Sequence, residues 1–238
     1  MSYKYFPCTV IDIITVTDLV KRFIFKAADD QSFDFKAGQF VMLNLPIPSK
    51  YTNRSYSIAS PPYGNNTFEL VIVLNPQGLG TPYLWKNIKV GSTVDVSKPL
   101  GKFVLQQPIE DDLCFIGTGT GIAPLRSMIH YIYMHKIPAK NIYLVFGNRW
   151  EKDILYNDEF KKLESDNHNL QFIPVLSRDN PGWNGRKGYV HQVYEELFSD
   201  KRPATFYLCG WKDMLRDARI KIEAMGYPKS KIKFESYD

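Results

Sequence analysis

The sequence predicts two domains: an antiparallel Greek-key β-barrel over residues 1–107, then an α/β domain with a doubly wound, five-stranded parallel sheet over residues 108–238. Before residue 107, short runs rich in Val, Ile, Phe and Thr are separated by turn signals, which is typical of a small barrel. After residue 112, continuously apolar runs alternate with segments of helical periodicity, which is typical of a parallel sheet covered on both faces. The polar stretch 106–112 separates the two patterns.

The first domain contains six predicted strands and one predicted helix. Turn signals such as Asp29-Asp30 and Gly64-Asn65-Asn66 bound the strands. The helix begins at Thr81-Pro82. The strands are predicted at Thr9–Val16, Lys21–Lys26, Gln39–Leu45, Ser55–Ala59, Thr67–Val73 and Ser92–Val96.

In the second domain five predicted strands alternate with four predicted helices. The strands are Leu113–Ile116, Ile142–Phe146, Gln171–Leu176, Thr205–Cys209 and Ile232–Glu235. The helices cover residues 122–135, 155–165, 189–198 and 211–225, and the last is followed by Gly226 and Pro228, which end helices.

A glycine-rich turn joins the first of these strands to its helix. Gly117, Gly119 and Gly121 alternate with threonines, and helical periodicity starts at Ile122. Such a turn exposes backbone N–H groups beside a helix N-terminus, where partial positive charge favours an anion. The spacing is G-x-G-x-G, and it fits neither a Walker loop nor G-x-G-x-x-G. It predicts a nucleotide pyrophosphate site, and a purely structural turn is the alternative.

The positive charge of the chain is concentrated in its first half. The formal net charge is +5; residues 1–107 hold 11 basic and 7 acidic side chains, a net charge of +4, and the remaining residues hold 19 and 18. Because no arginine-rich tract or recognition-helix pattern is present, nucleic acid is not a predicted partner. The basic excess favours an acidic protein partner, and a merely solubilising surface is the alternative.

Neither a metal nor a cluster is predicted. Cys8, Cys114 and Cys209 are far apart, without a C-x-x-C pair, and the four histidines lack ligand spacing. The N-terminal residues lack the apolar core of a signal peptide, and no run approaches the ~20 apolar residues of a membrane span. We therefore expect a cytoplasmic protein that does not enter a membrane.

Seven short motifs, taken together, resemble those of the ferredoxin–NADP⁺ reductase superfamily. The resemblance covers nearly the whole chain, and the motifs occur in the family's order. They are Arg54-Ser55-Tyr56-Ser57, Gly78-Leu79-Gly80-Thr81, Pro99-Leu100-Gly101-Lys102-Phe103, Gly117–Pro124, Phe146-Gly147-Asn148-Arg149, Leu208-Cys209-Gly210 and Phe234-Glu235-Ser236-Tyr237.

The resemblance implies a flavin site in the first domain. Tyr56 resembles the tyrosine that stacks on the flavin ring, Ser57 the hydroxyl near flavin N5, and Arg54 the arginine that pairs with flavin phosphate. The segment Gly78-Leu79-Gly80-Thr81 resembles the phosphate-binding helix start, with Thr81 as the N-cap. Ser55 belongs to the same motif. FAD is favoured over FMN, with Tyr51, Tyr63 and Tyr237 as candidates for adenine stacking.

The second domain is implied to bind a nicotinamide nucleotide. Gly117, Thr118, Gly119, Thr120 and Gly121 resemble the pyrophosphate loop. Cys209, followed by Gly210, stands where the family places a cysteine beside the nicotinamide. Arg149 belongs to another motif of this site.

NADPH is predicted over NADH, which remains an alternative. Ser177-Arg178 resembles the pair that grips the 2′-phosphate, and Arg186 is a second candidate cation. Glu235 resembles a glutamate linked to proton or electron transfer, and Tyr237 a terminal tyrosine that covers the flavin; here Asp238 follows it.

The implied activity is hydride exchange between NADPH and FAD, with single-electron exchange with a ferredoxin- or flavodoxin-type acidic carrier. Ser57, Cys209 and Glu235 are the predicted catalytic residues. The alternatives are a stand-alone NAD(P)H reductase component of an oxygenase, a flavin or small-molecule reductase, and a non-enzymatic electron-transfer subunit. The cysteine cluster of the family's dihydroorotate dehydrogenase subunit is missing from this sequence.

Overall fold

The structure is a computed structural model that describes residues 4–30, 32–50, 52–178 and 181–237. The chain divides into two compact units. The first runs to Leu105 and includes Arg126–Tyr131; the second comprises Gln106–Leu125 and continues from Ile132. None of the helices among the described residues is long and apolar enough to cross a membrane.

The first unit is built on a six-stranded sheet in the order β4-β3-β6-β1-β2-β5, in which every pairing is antiparallel. Beyond β4 an antiparallel bridge joins Ile58 to Leu70 of β5, and the Ala59 amide donates to Glu69 O at 2.8 Å. These contacts connect the two outer strands, so the predicted barrel is confirmed. The strands are β1 (Tyr5–Thr17), β2 (Val20–Ala27), β3 (Phe40–Asn44), β4 (Asn53–Ser57), β5 (Thr67–Val73) and β6 (Thr93–Ser97).

Stacked aromatic rings fill the barrel. The Phe33 and Phe68 rings stack with centroids 4.3 Å apart, and Phe25 stacks on Phe68 at 5.2 Å. Helix α1 (Gly80–Asn87) is anchored to this core, because the Trp85 ring lies 5.7 Å from that of Phe23. The core therefore holds α1 against the barrel.

A parallel sheet in the order β10-β9-β8-β7-β11-β12 forms the second unit. Its strands are β7 (Asp112–Thr118), β8 (Ile142–Asn148), β9 (Leu170–Leu176), β10 (Arg186–Lys187), β11 (Ala204–Gly210) and β12 (Ile232–Ser236). Its helices are α2 (Ile122–Met134), α3 (Asn157–Asp166), α4 (Val190–Leu197) and α5 (Lys212–Ala224), and residues 126–131 of α2 group with the first unit.

The sheet has six strands where the sequence predicts five. The additional strand, β10, is two exposed charged residues that pair in parallel with β9. It has no apolar pattern, and hydrophobic periodicity therefore gives no sign of it.

Candidate functional site

Strand β4 carries the predicted flavin-binding motif. Ser55 is exposed and Ser57 is buried, while Tyr56 is partly buried and packs against the barrel core. Burial raises the pKa of Tyr56 to about 12, although the positive charge of Arg54 opposes this shift. The phenol therefore stays neutral at physiological pH, and its ring is held by the core.

The Arg54 side chain lies against the first residue of helix α1. A Cβ built on Gly80 would be 3.0 Å from both Cγ and Nε of Arg54, and Arg54 Nη1 donates to the Asn53 carbonyl at 2.8 Å. A guanidinium thus stands beside the partial positive charge of a helix N-terminus. This donor set fits a phosphate or pyrophosphate.

Thr81 does not cap the helix, which is a correction to the prediction. Helix α1 begins at Gly80, and Leu79 occupies the N-cap position without a side-chain capping bond. The Thr81 hydroxyl instead accepts a hydrogen bond from the Asn75 amide at 2.8 Å and lies 3.3 Å from the Asn75 carbonyl. Since it sits one residue inside the helix, it reaches back and fixes the turn that contains Gly78.

The glycine turn of the second unit lies against the end of β11. The segment Gly119–Gly121 forms a single 3₁₀ turn, and Gly119 has a φ of +54°. A Cβ on Gly121 would lie 2.4 Å from the Cys209 carbonyl oxygen, and only glycine allows this approach. The structure thus brings the predicted pyrophosphate loop and Cys209 together.

Thr118 and Gly210 link the same two segments. The Thr118 hydroxyl accepts a hydrogen bond from the Trp211 amide at 2.9 Å. Gly210 has a φ of +133°, and a Cβ there would be 2.3 Å from Thr118 Oγ1. The end of β7 and the end of β11 are therefore in direct contact.

Cys209, Glu235 and Tyr237 form a cluster beside this loop. Cys209 is fully buried and stands opposite Glu235 in the β11–β12 register. Burial holds the pKa of the Cys209 thiol well above its ordinary value, and the charge of Glu235 raises it further, while a hydrogen bond from Tyr237 lowers it. The thiol is therefore protonated near neutral pH.

The Tyr237 hydroxyl lies 3.4 Å from the Thr120 carbonyl, so its side chain is tied to the glycine loop. Asp238 lies outside the described residues, as does Tyr51, one of the candidates for adenine stacking.

Ser177, Arg178 and Arg149 meet where strands β8 and β9 end. The Ser177 amide donates to Asn148 O at 3.0 Å, and the Arg178 amide donates to Arg149 O at 3.2 Å. Both arginines are exposed. Ligands of parallel α/β sheets bind beyond the carboxyl ends of the strands, so these residues have the expected placement.

Arg186, the second predicted cation, is engaged by helix α4. Its guanidinium forms a two-pronged ion pair with Glu196, with nitrogen–oxygen distances of 2.9 and 2.7 Å.

Sequence reasoning missed two neighbours of Arg186. Lys187 pairs in register with Leu176, directly before Ser177, and the Tyr189 side chain is 66% exposed. The sequence signal for both residues is the run Arg186-Lys187-Gly188-Tyr189, in which two cations and an aromatic residue stand close together.

Two family models match the chain. The oxidoreductase FAD-binding domain matches residues 7–105, and the oxidoreductase NAD-binding domain matches residues 115–219. Ferredoxin–NADP reductase B from Sorangium cellulosum is 32% identical over 240 residues, with 98% of each chain covered. The chain belongs to the ferredoxin–NADP⁺ reductase superfamily. The resemblance carried by the seven motifs is thereby confirmed.

A second relative is considerably longer than this chain. The reductase component DmpP of phenol 2-monooxygenase from a Pseudomonas species is 35% identical over 195 residues, which cover 80% of this chain and 54% of DmpP. This chain therefore spans about half the length of that relative.

Solved structures share the fold. The CS-b5R domains of human Ncb5or in the NAD+ form superpose with a TM-score of 0.89 at 25% identity, over 100% of this chain and 70% of that one. A ferredoxin NADP+ reductase from Neisseria gonorrhoeae superposes with a TM-score of 0.85 at 23% identity, over 99% of each chain.

Membership of the superfamily fixes the general chemistry. The protein is an oxidoreductase that depends on FAD and a nicotinamide nucleotide. The residues of each unit fit these groups: Arg54 beside the start of α1 suits the FAD phosphates, and the glycine loop suits the pyrophosphate of the nucleotide.

Proposed function

We propose that the enzyme oxidises or forms NADPH, rather than NADH, and exchanges single electrons with an acidic ferredoxin- or flavodoxin-type carrier. We further propose that the first unit is the FAD domain and the second the NADPH domain, with the boundary near residue 107. Bound FAD would supply hydride exchange with the nicotinamide and single-electron exchange with the carrier. The single observation that carries the NADPH proposal is the convergence of Ser177 and Arg178 with Lys187 at one end of the sheet.

In the first unit the proposed roles are binding and orientation of FAD. Arg54 and the start of α1 hold its phosphates, Tyr56 presents a ring for stacking, and Ser57 supplies a hydroxyl near the reactive nitrogen. Ser55, Gly78, Leu79, Gly80 and Thr81 shape the same site. Because the barrel core holds Tyr56 from behind, little side-chain entropy is lost when the flavin binds.

The second unit is proposed to hold the nicotinamide nucleotide. Residues Gly117–Gly121 bind its pyrophosphate, while the neutral Cys209 and Gly210 pack beside the nicotinamide. Glu235, opposite Cys209 in register, is the carboxylate available to hold or move a proton there. Tyr237 is proposed to cover the site of the nicotinamide ring until the nicotinamide enters.

At the far end of the nucleotide, Ser177, Arg178 and Lys187 are proposed to bind the 2′-phosphate and Tyr189 to offer a ring for the adenine. Arg149 borders the same site. Arg186 is better assigned to the ion pair with Glu196 than to the nucleotide.

Replacing Arg178 by alanine is expected to lower kcat/KM for NADPH at least tenfold and to leave NADH almost unchanged, because only NADPH carries the dianionic phosphate. Stopped-flow reduction of the enzyme with each nucleotide measures the ratio of the NADPH value to the NADH value. Arg216→Ala is the matched control, since Arg216 is an exposed arginine already paired with Asp213 and Asp217. Equal losses with both nucleotides would remove Arg178 from the phosphate site.

The carrier proposal rests on the net charge of +4 on residues 1–107, and the test is salt dependence. We expect the NADPH-reduced enzyme to reduce an acidic ferredoxin far faster than free flavin. Raising ionic strength from about 0.02 to about 0.2 M should slow that step roughly tenfold, because screening shortens the reach of the attraction. Flavin reduction by NADPH serves as the internal control. A rate of ferredoxin reduction that does not change with ionic strength would contradict electrostatic docking.

An alternative function is that of an oxygenase reductase component, and the similarity to DmpP favours it. The same experiment separates the two, because an oxygenase partner would accept electrons where ferredoxin and flavodoxin do not. Rapid turnover with free flavin alone would instead indicate a flavin reductase.

A further inference from the structure

Strand β10 is too short to hold its own position. It consists of Arg186 and Lys187, lies at the edge of the sheet and pairs only with β9 among the described strands. Two residues contribute few ladder hydrogen bonds, so a strand of this length depends on contacts from outside the sheet. The proposed phosphate-binding Lys187 therefore depends on those contacts as well.

On its C-terminal side β10 is held by one backbone–backbone bond and one bond to a side chain. The Gly188 amide donates to Leu176 O at 2.9 Å, and the Tyr189 amide donates to Gln192 Oε1 at 3.2 Å.

On its N-terminal side β10 has two contacts: the ion pair of the exposed Arg186 side chain with Glu196, and a bond from Trp183 to the Arg186 backbone. The indole Nε1 of Trp183 donates to the Arg186 carbonyl at 3.0 Å. The ring lies on Gly185, where a Cβ would be 2.3 Å from Cζ2 and 2.6 Å from Cε2. The half-buried indole thus closes the turn 183–186 that leads into β10. Only glycine at position 185 leaves room for the indole in this turn.

We propose that Trp183 is a positioning residue for the adenine end of the nucleotide site. By fixing β10 it holds Lys187 and Tyr189 in place beside Ser177 and Arg178. This inference rests on the proposed function of that site. Its physical basis is preorganisation: a lysine on a loosely held strand must lose more conformational entropy when it binds a phosphate.

The test measures the affinity of the isolated adenine end of the nucleotide, with 2′,5′-ADP and 5′-AMP as probes, which differ only in the 2′-phosphate. We expect Trp183→Ala to raise the Kd of both about tenfold and the KM for NADPH similarly. The kcat at saturating NADPH and the FAD content should change less than twofold. Trp183→Phe keeps a ring over Gly185 but loses the indole bond to Arg186, and we expect an intermediate loss of about threefold.

A double-mutant cycle with Gly185 separates positioning from general damage to the loop. Gly185→Ala should reproduce the Trp183→Ala defect, because the new methyl group and the indole cannot occupy the same space. In the Trp183→Ala background the same methyl meets no indole, so the double variant should bind no more weakly than Trp183→Ala alone. If the affinity loss of the double variant equals the product of the losses of the two single variants, the two effects are independent and the proposal is overturned.

The outcomes distinguish this inference from the function on which it rests. If wild type binds both probes and Trp183→Ala binds them equally well, the positioning role is wrong and the proposed function stands. If wild type binds 2′,5′-ADP no better than 5′-AMP, the NADPH proposal fails. The positioning role is then decided by 5′-AMP alone, with a loss of affinity in Trp183→Ala supporting it and unchanged affinity overturning it.

Discussion

Glu69→Ala is expected to lower the free energy of unfolding of the barrel by about 3–5 kcal/mol. Glu69 is buried on β5, and its carboxylate receives Nε and Nη2 of Arg22 at 2.9 and 2.6 Å. Arg126 Nη1 lies 3.7 Å from the same carboxylate and donates to the Ala59 carbonyl at 2.8 Å. Removing the carboxylate takes a negative charge away from the two arginines that face it, one of which, Arg126, is buried, and removing one partner of a buried pair is strongly destabilising.

Urea unfolding, followed by circular dichroism and by release of FAD, measures the change. The segment 58–60 directly follows β4, which carries the proposed flavin-binding motif, and its Ser60 hydroxyl accepts a hydrogen bond from the Glu69 amide at 3.0 Å, so FAD should be lost at a lower urea concentration. Glu69→Gln keeps an acceptor for Arg22 and should show a smaller loss. The control is Asp166→Asn, which breaks the exposed pair with Lys162 and should cost less than about 0.5 kcal/mol. A loss below about 1 kcal/mol for Glu69→Ala would contradict the prediction.

Gly121→Ala is expected to raise the Kd for the nicotinamide nucleotide at least tenfold and to destabilise the second unit by about 3 kcal/mol. The added Cβ would lie 2.4 Å from Cys209 O and 2.6 Å from both Cys209 C and Gly210 Cα. All three are backbone atoms of β11, which is paired on both sides and cannot retreat. The loop must therefore move away from the position in which it is proposed to bind the pyrophosphate.

Isothermal titration with NADP⁺, together with retained FAD content, measures this effect. Gly226→Ala is the matched control: Gly226 has a φ of +101°, but a Cβ there meets nothing within 4 Å. It should cost about 1 kcal/mol through backbone conformation alone and leave nucleotide binding intact. Nucleotide affinity in Gly121→Ala equal to that of the control would show that the loop tolerates the displacement.

Most of the fold could be predicted because the pattern and the local geometry agree. The strand at Leu113–Ile116 is apolar throughout, and the structure buries it on both faces as β7. The positions that prediction missed are those where a contact outside the element itself decides. Thr81 carries the side chain of a capping residue, yet its hydroxyl turns to Asn75, a contact set by the loop.

The candidate site shows the same division between local and long-range information. The glycine alternation at residues 117–121 predicts close backbone approach but does not say to what, and the partner, Cys209, is far away in sequence. Arg186 and Lys187 are indistinguishable as neighbouring cations, and only Glu196 on helix α4 separates their roles. The pairing partner of a side chain is a tertiary property, and composition and spacing do not contain it.

The brevity of β10 also bears on how the protein avoids sticking to itself. An exposed sheet margin offers unpaired amides and carbonyls on which a second chain can grow a cross-chain ladder. The outermost strand here is two residues long, and both residues carry charged side chains. It covers Val175 and Leu176 of β9; farther along β9 the Phe172 amide already donates to Glu164 Oε1 at 3.0 Å, and Pro174 has no N–H to offer. An approaching copy would therefore find few amides with which to pair, and this flank disfavours aggregation.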